Sequence, residues 1–424
     1  MSRRATTEPR ASRRVALWPA LGALLVAGVA GSTVIGSAPG VTAAWAQAPP
    51  AARRLAGVAL EVAPREHPAL APAPGWPLWL KDRETSRRTE ETSAIAFAGR
   101  DAAGRACFVL ADDIGQLHLC RVTEAGAAHA ADSADPPPAP RLQLERVQFG
   151  ASCFDTLAAQ TRWDFEALAL APLQRGALLA DTLTGLLAIE GREPDVLGES
   201  RVLRIRLARN AADATPGPAS PAPWRVETDG DVIPGAVFWN DFVGADRGIQ
   251  GLGLTDEHIY FGLSRLAPRG EPFARGSAIF VYDRVRDRVA TLLTASLEIR
   301  SVTGLTAPDD TVLVVLDGDR MALNVLRWGA GAEGWTARCD RFPLELPGPD
   351  GLRFAIPTLA GVTLDDRGDI WCVLDPSPEH YRVVGPAPEL AHVLVAARMP
   401  MLYRFPGAPV WEALECEHRW EEKR

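Results

Sequence analysis

The chain reads as an all-β protein, a β-propeller, and three observations carry that reading. A small apolar patch recurs five times with nearly the same grammar, polar-small-aliphatic-small-apolar. Each copy is followed by an aliphatic strand that usually ends on aspartate. Elsewhere short strand-like runs alternate with turns, and helical periodicity shows only around 387–398. Self-similarity at tens of residues with a strand period inside each unit is the signature of radial repetition.

Taken in order, the first strands are Ser93–Phe97, Glu166–Leu170, Gln250–Leu254, Thr303–Ala307 and Ala360–Leu364. Their partners are Phe108–Asp112, Ala177–Asp181, His258–Gly262, Val312–Asp317 and Ile370–Asp375. Small residues in the first strand suit an innermost blade strand, where chains crowd round an axis. Strand–turn–strand units are clearest at Val362–Leu364, a turn at Asp365–Asp369, and Ile370–Leu374. Two Pro/Ala-rich insertions, 124–141 and 208–223, fall in the two longest intervals between copies. A strand at Met401–Phe405 is expected to pair with an N-terminal one, with Leu55–Val62 as the candidate, and so close the ring. Five units plus a blade shared by the termini predict six blades, with five and seven as the alternatives.

The domain reading has four parts: an export signal at 1–46, a Pro/Ala-rich segment at 47–84, the propeller at 85–410, and a charged tail at 411–424. Arg3, Arg4, Arg10, Arg13 and Arg14 precede an apolar run, and Ala44-Trp45-Ala46 supplies a small-x-small cleavage pattern. Ser12–Leu17 also resembles a twin-arginine signal, so either export route is open. Cleavage is favoured over an uncleaved anchor because Pro19 and several glycines interrupt the run. Removing five arginines and one glutamate with the signal takes the net charge from −8 to −12. An acidic exported protein is a poor partner for nucleic acid or anionic membranes. A monomer is expected.

Six cysteines in an exported chain permit disulfides. Folding 108–111 and 116–119 about a four-residue turn sets Cys107 opposite Cys120, within reach of a bridge; two buried thiols are the alternative.

In such a ring the ends of the inner strands converge on one mouth. Glu166, Gln250, Asp112, Asp113, Asp181, Asp317 and Asp375 occupy those ends. Carboxylate and amide oxygens converging there suit a hard divalent cation, Ca²⁺ first, and such an ion could activate water. Aspartate after an aliphatic strand is also a common turn-former, and Asp317, before Gly318-Asp319, is the clearest case. Glu166 differs, since an unpaired carboxylate among Trp163, Phe165 and Leu168 would be costly to bury. Arg247 could clamp a phosphate or carboxylate, and His380 and Tyr381 follow a repeated aspartate and could line the rim. No nucleophile elbow, H-E-x-x-H, C-x-x-C or phosphate-binding glycine loop occurs.

Asp164-Phe165-Glu166-Ala167-Leu168-Ala169 and Arg247-Gly248-Ile249-Gln250-Gly251-Leu252-Gly253 resemble inner strands of bacterial exported propellers of the "esterase-like activity of phytase" group. The stretch Ile259–Arg265, running on to Gly276–Ile279, is similar to a related propeller family of unassigned function. The resemblance implies the propeller fold and an acidic role for Glu166. Gln250 replaces that group's second glutamate, and Thr303 and Ala360 carry no carboxylate at the matching place.

Two functional readings follow. One is a metal-assisted hydrolase of a small anionic ester or phosphoester, with Glu166, Asp181 and Arg247 at the chemistry and Asp112, Glu166, Asp181 and Asp375 on the ion. The other is a non-catalytic propeller that binds a protein, peptide or glycan on its loop face.

Overall fold

The computed structural model describes residues 63–124, 139–150, 163–173, 176–192, 199–209, 223–232, 248–264, 277–285, 287–293, 297–331, 334–348, 358–375 and 399–414. Strands dominate these residues because both faces of most of them are buried, as their near-continuous aliphatic runs require. Five antiparallel sheets form five blades, each with its first strand innermost.

The first blade is β3 (Thr92–Arg100), β4 (Ala106–Asp112), β5 (Gln116–Thr123) and β6 (Arg141–Arg146). The second is β8 (Trp163–Leu170), β9 (Thr182–Gly191), β10 (Ser200–Arg209) and β11 (Trp224–Asp231), with β7 (Gln148–Phe149) added in parallel outside β11. The third is β12 (Ile249–Leu254), β13 (His258–Leu263), β14 (Ala278–Asp283) and β15 (Arg288–Leu293). The fourth is β16 (Val302–Asp309), β17 (Val312–Asp317), β18 (Ala322–Gly331) and β19 (Gly334–Pro343), flanked in parallel by β1 (Arg65–Glu66). The fifth is β20 (Thr358–Leu364), β21 (Ile370–Asp375), β22 (Met401–Phe405) and β2 (Leu78–Trp79). One short helix, α1 (Ala408–Ala413), follows β22.

The ring therefore has five blades, not six. The closure expected of the termini is present, but it completes the fifth unit instead of building another. Leu78 and Trp79 pair with Leu402 and Met401 and cover an edge that would otherwise stand open. The closing strand is thus Leu78–Trp79; Leu55–Val62 lies outside the described residues. The N-terminal segment passes the fourth blade as β1 and the fifth as β2 before entering the first.

Among the described residues the core is divided between the blades. Five apolar clusters lie one between each pair of neighbouring blades. Alternate residues of one strand feed two of them: Val109 packs toward the second blade, Phe108 and Leu110 toward the fifth. In the fifth–first interface Trp371 packs against Phe108 and Trp76 at ring-centroid distances of 4.6 and 5.0 Å.

That alternation decides the cysteines. The β4–β5 turn holds three residues, Asp113–Gly115, with Gly115 at φ 73° and Asp112 paired to Gln116. This is the three-residue hairpin loop that wants glycine at its left-handed position. A four-residue turn would have set Cys107 opposite Cys120; the observed one sets Cys107 opposite Arg121 and Phe108 opposite Cys120. One step of register sends a side chain to the other face, so Cys107 and Cys120 are free thiols in different interfaces.

Several of the turns joining an inner strand to its partner are clasped from blade to blade. Arg100, at the end of β3, holds Asp366 at 2.8 Å and Asp365 at 3.5 Å on the fifth blade. The Arg100 backbone bonds Ala177 and Leu179 of the second blade at 3.0 and 2.6 Å. Between the third and fourth blades, His258 Nδ1 meets Asp310 at 2.9 Å. Among the described residues no helix is long and apolar enough to cross a membrane.

Two outcomes follow. Arg100→Ala strands two partly buried carboxylates and is expected to cost about 3 kcal/mol by chemical denaturation. Peptide mapping under non-reducing conditions is expected to show Cys107 and Cys120 unlinked, with both alkylated only after unfolding.

Candidate functional site

Every inner strand carries a one-residue shift in its pairing near its start. The shifted residues are Ser93, Glu166, Gln250, Thr303 and Ala360. Such bulges re-aim a side chain and are common beside functional sites. Here they set the first residue of all five repeats on one ring round the axis. The next position is Ala94, Ala167, Gly251, Gly304 and Gly361. Small size is obligatory there: a Cβ on Gly251 would lie 2.7 Å from Leu305 Cβ, and one on Gly361 3.0 Å from Ala94 Cα.

The same register defines a second ring at the partner strands. Opposite the residue before each shift stand Asp112, Ile189, Leu263, Asp317 and Leu374. One residue beyond them come Asp113, Glu190, Ser264, Gly318 and Asp375. Over the two rings the carboxylates Glu166, Asp113, Glu190 and Asp375 all belong to the fifth, first and second blades. The third and fourth blades present Gln250, Ser264, Thr303 and Gly318 instead.

These acids feel one another. Burial, then Glu166, Asp375 and Asp164, push the Asp113 carboxyl well above the usual range, offset in part by the Ser93 hydroxyl. Burial, then Glu190, Asp164 and Asp375, do the same to Glu166, against the opposing pull of Arg192. The fifth and second blades are not adjacent, so Asp375 acts on Glu166 across the axis. Asp164 is pushed up to about 7, by burial first, although Arg192 forms an ion pair with it. Asp113 Oδ1 is buried and meets no hydrogen-bond donor among the described residues. Ser93 Oγ donates to Phe165 O, stitching the first blade to the second. Glu190 Oε2 accepts from Gly248 N at 3.0 Å, stitching the second to the third.

Each expected site residue among the described ones has a definite place. Asp375, Asp113, Gln250 and Glu166 reach the mouth. Asp112 is buried and fully engaged: it accepts from Glu90 N and the Thr92 hydroxyl at 3.1 Å each and sits 3.1 Å from His118 Nε2. Asp317 closes a turn as expected, accepting from the backbone N–H groups of Arg300, Ser301 and Arg320. Neither can turn a free carboxylate to an ion.

Asp181 is separated from Glu166 altogether. The partner strand of the second blade is Thr182–Gly191, not Ala177–Asp181, so Asp181 precedes it at the opposite mouth. Its side chain is 84% exposed and pairs only loosely with Arg209, at 3.5 Å. Arg247, His380 and Tyr381 lie outside the described residues. Glu190 and Asp164 were not expected at the mouth. The run Leu186-Leu187-Ala188-Ile189-Glu190 carried the signal for Glu190, an aliphatic strand ending on an acid, with glutamate in place of aspartate.

No three of the mouth carboxylates bring donor atoms within 4.8 Å of one another. Among the described residues one set does, Glu257, His258 and Asp310 at the opposite mouth, and it could bind a metal ion. There the His258–Asp310 contact already clasps two blades.

No family model matches the chain, and no curated protein does. The resemblance to the phytase-like group therefore gains no support from them. Solved structures similar in fold include a PQQ-bound aldose sugar dehydrogenase from Streptomyces coelicolor, 11% identical, with a TM-score of 0.32 over 79% of this chain and 99% of that one. A gluconolactonase from Xanthomonas campestris is 10% identical, with a TM-score of 0.29 over 78% and 89%. The polysaccharide lyase Uly1 is 9% identical, with a TM-score of 0.31 over 73% of this chain; the chain spans 57% of its length. Similarity at this level goes no further than the propeller architecture.

The raised carboxyls have a consequence for stability. A carboxyl whose folded pKa lies above its unfolded value keeps its proton in the native state after the unfolded chain has lost it. Stability is then greatest below the unfolded pKa and falls as pH rises toward the folded one. Glu166→Gln removes that penalty, so it is expected to raise Tm by about 2 °C or more at pH 8 and to leave it nearly unchanged at pH 4.

Proposed function

We propose that the acidic mouth is a hydrolytic site for a small ester, with Glu166 and Asp113 as its acid–base pair. The observation that supports this most is the repeated bulge. It turns Glu166 into a mouth where burial, then Glu190, Asp164 and Asp375, raise its affinity for a proton, and where Glu166 in turn raises that of Asp113. Carboxyls that cannot all ionise together divide acid and base roles between them. The one that keeps its proton can protonate the departing alkoxide. An ionised neighbour can take the proton of a water attacking the acyl carbon. Glu190 and Ser93, both committed to neighbouring blades, position the pair.

The surplus of carboxylates favours a neutral or cationic ester over an anionic one. An anionic phosphoester would need a cation to offset that charge, with Arg247 or Ca²⁺ as the candidates. Asp113, Glu166 and Asp375 offer the hard oxygens Ca²⁺ prefers. Their donor atoms do not converge as a ligand set, however, so no step is assigned to an ion. The export reading of residues 1–46 would place the protein outside the cytoplasm, as a monomer.

Hydrolysis of an aryl acetate and an aryl phosphate by the full chain tests the proposal. Ester turnover is expected, with kcat/KM falling about 100-fold or more in Glu166→Gln and Asp113→Asn and unchanged by a chelator. Turnover that is absent, or as fast in both variants as in the unsubstituted chain, would leave the binding-propeller reading in its place. Gln250, Thr303 and Ala360, which carry no acid at the ring, would then be its supporting features.

A further inference from the structure

The mouth opposite the acids holds a cavity of about 170 Å³. Four residues beyond each shifted position come Phe97, Leu170, Leu254, Ala307 and Leu364, and all five line it. None of these five is fully buried. Ile95, Leu168, Leu252 and Val362, at most 5% exposed, line it more deeply. The ring is uneven, because the fourth blade offers Ala307 where the others offer Phe or Leu. That step widens the opening on one side.

Two acids, Asp365 and Asp366, also line the cavity, but Arg100 holds both. One guanidinium against two carboxylates leaves a single negative charge, yet both acids are already engaged, Asp365 accepting also from Arg367 N and Asp369 N at 2.9 and 3.0 Å. Polar groups are nonetheless at hand. The inner strands have no strand on their axial side, so peptide groups there face the channel, and Thr306 and Thr363 add hydroxyls. The Thr363 hydroxyl already accepts from Phe97 N at 3.2 Å.

We propose that this second mouth is a binding site for a small neutral molecule, a single aromatic ring bearing one hydroxyl group. Size sets the ring count, since a cavity of roughly 150 Å³ lined by aliphatic and aromatic side chains accommodates benzene. Phe97 supplies an aromatic neighbour. The open strand edges and threonine hydroxyls supply the partner for one polar group. The residual negative charge selects against an anion, and the engagement of both acids by Arg100 and backbone N–H groups leaves the apolar lining to favour a neutral ligand. This site is independent of the acidic mouth and of the hydrolytic reading.

The test is titration of the full chain with p-cresol, followed by calorimetry and ligand-observed NMR. One saturable site is expected, with Kd on the order of 0.1–1 mM for a ligand of this size. Ala307→Trp fills the wide side and is expected to weaken binding at least tenfold at unchanged Tm. Phe97→Leu, which keeps the apolar volume, is expected to weaken it severalfold, and serves if the tryptophan variant is unstable. Glu166→Gln should leave the affinity unaltered. Non-saturable binding, equal affinity in Ala307→Trp and Phe97→Leu, or loss of binding in Glu166→Gln would each overturn the assignment. So would benzylamine binding as tightly as p-cresol, since that would show selection for a cation.

Discussion

Close approach of five strands about one axis is the constraint on which the rest of this molecule depends. It is met at the Ala or Gly that follows each shifted residue, and in the third blade again two residues on, at Gly253. A side chain at Gly251 or Gly361 would press into the neighbouring inner strand. The repeated small residue thus fixes how near the blades come and so how narrow the channel is. The shift just before it is what turns a side chain toward the axis. Packing and site are built from adjacent residues, which is why the acids reappear at the same step of the repeat.

A ring assembled this way has two unlike ends. At one, acids of the fifth, first and second blades share a desolvated space and hold protons that isolated carboxyls would lose. At the other, Arg100 engages the two acids present and apolar side chains take over. Charge is therefore segregated along the axis, with no barrier needed beyond the strands themselves.

Much of this architecture was legible in the sequence, because strand period and small-residue placement are local signals. Each of the five inner strands begins within three residues of its motif, and four of the five partner strands match. The fifth, Thr182–Gly191, was displaced because Asp181 imitated the expected terminal aspartate while Glu190 was the true equivalent. The blade count failed for a different reason. Nothing local distinguishes a closing strand that completes a unit from one that adds another; only the pairing of Leu78 with Leu402 decides it. Register was the other blind spot. One residue in the turn length decided which face Cys120 presents, and it separated the committed Asp112 from the mouth-facing Asp113 beside it.

The threading of the first described residues also bears on biogenesis. Arg65 lies along the fourth blade and Leu78 within the fifth, both made from segments translated near the end of the chain. The leading segment must therefore stay unpaired until its late partners emerge. Closure by contacts so distant in sequence is slow compared with forming a local hairpin. A ribosome-bound chain would hold its early blades as hairpin sheets with exposed edges. Sealing of the ring, rather than the folding of any one blade, would then commit the molecule to its final form.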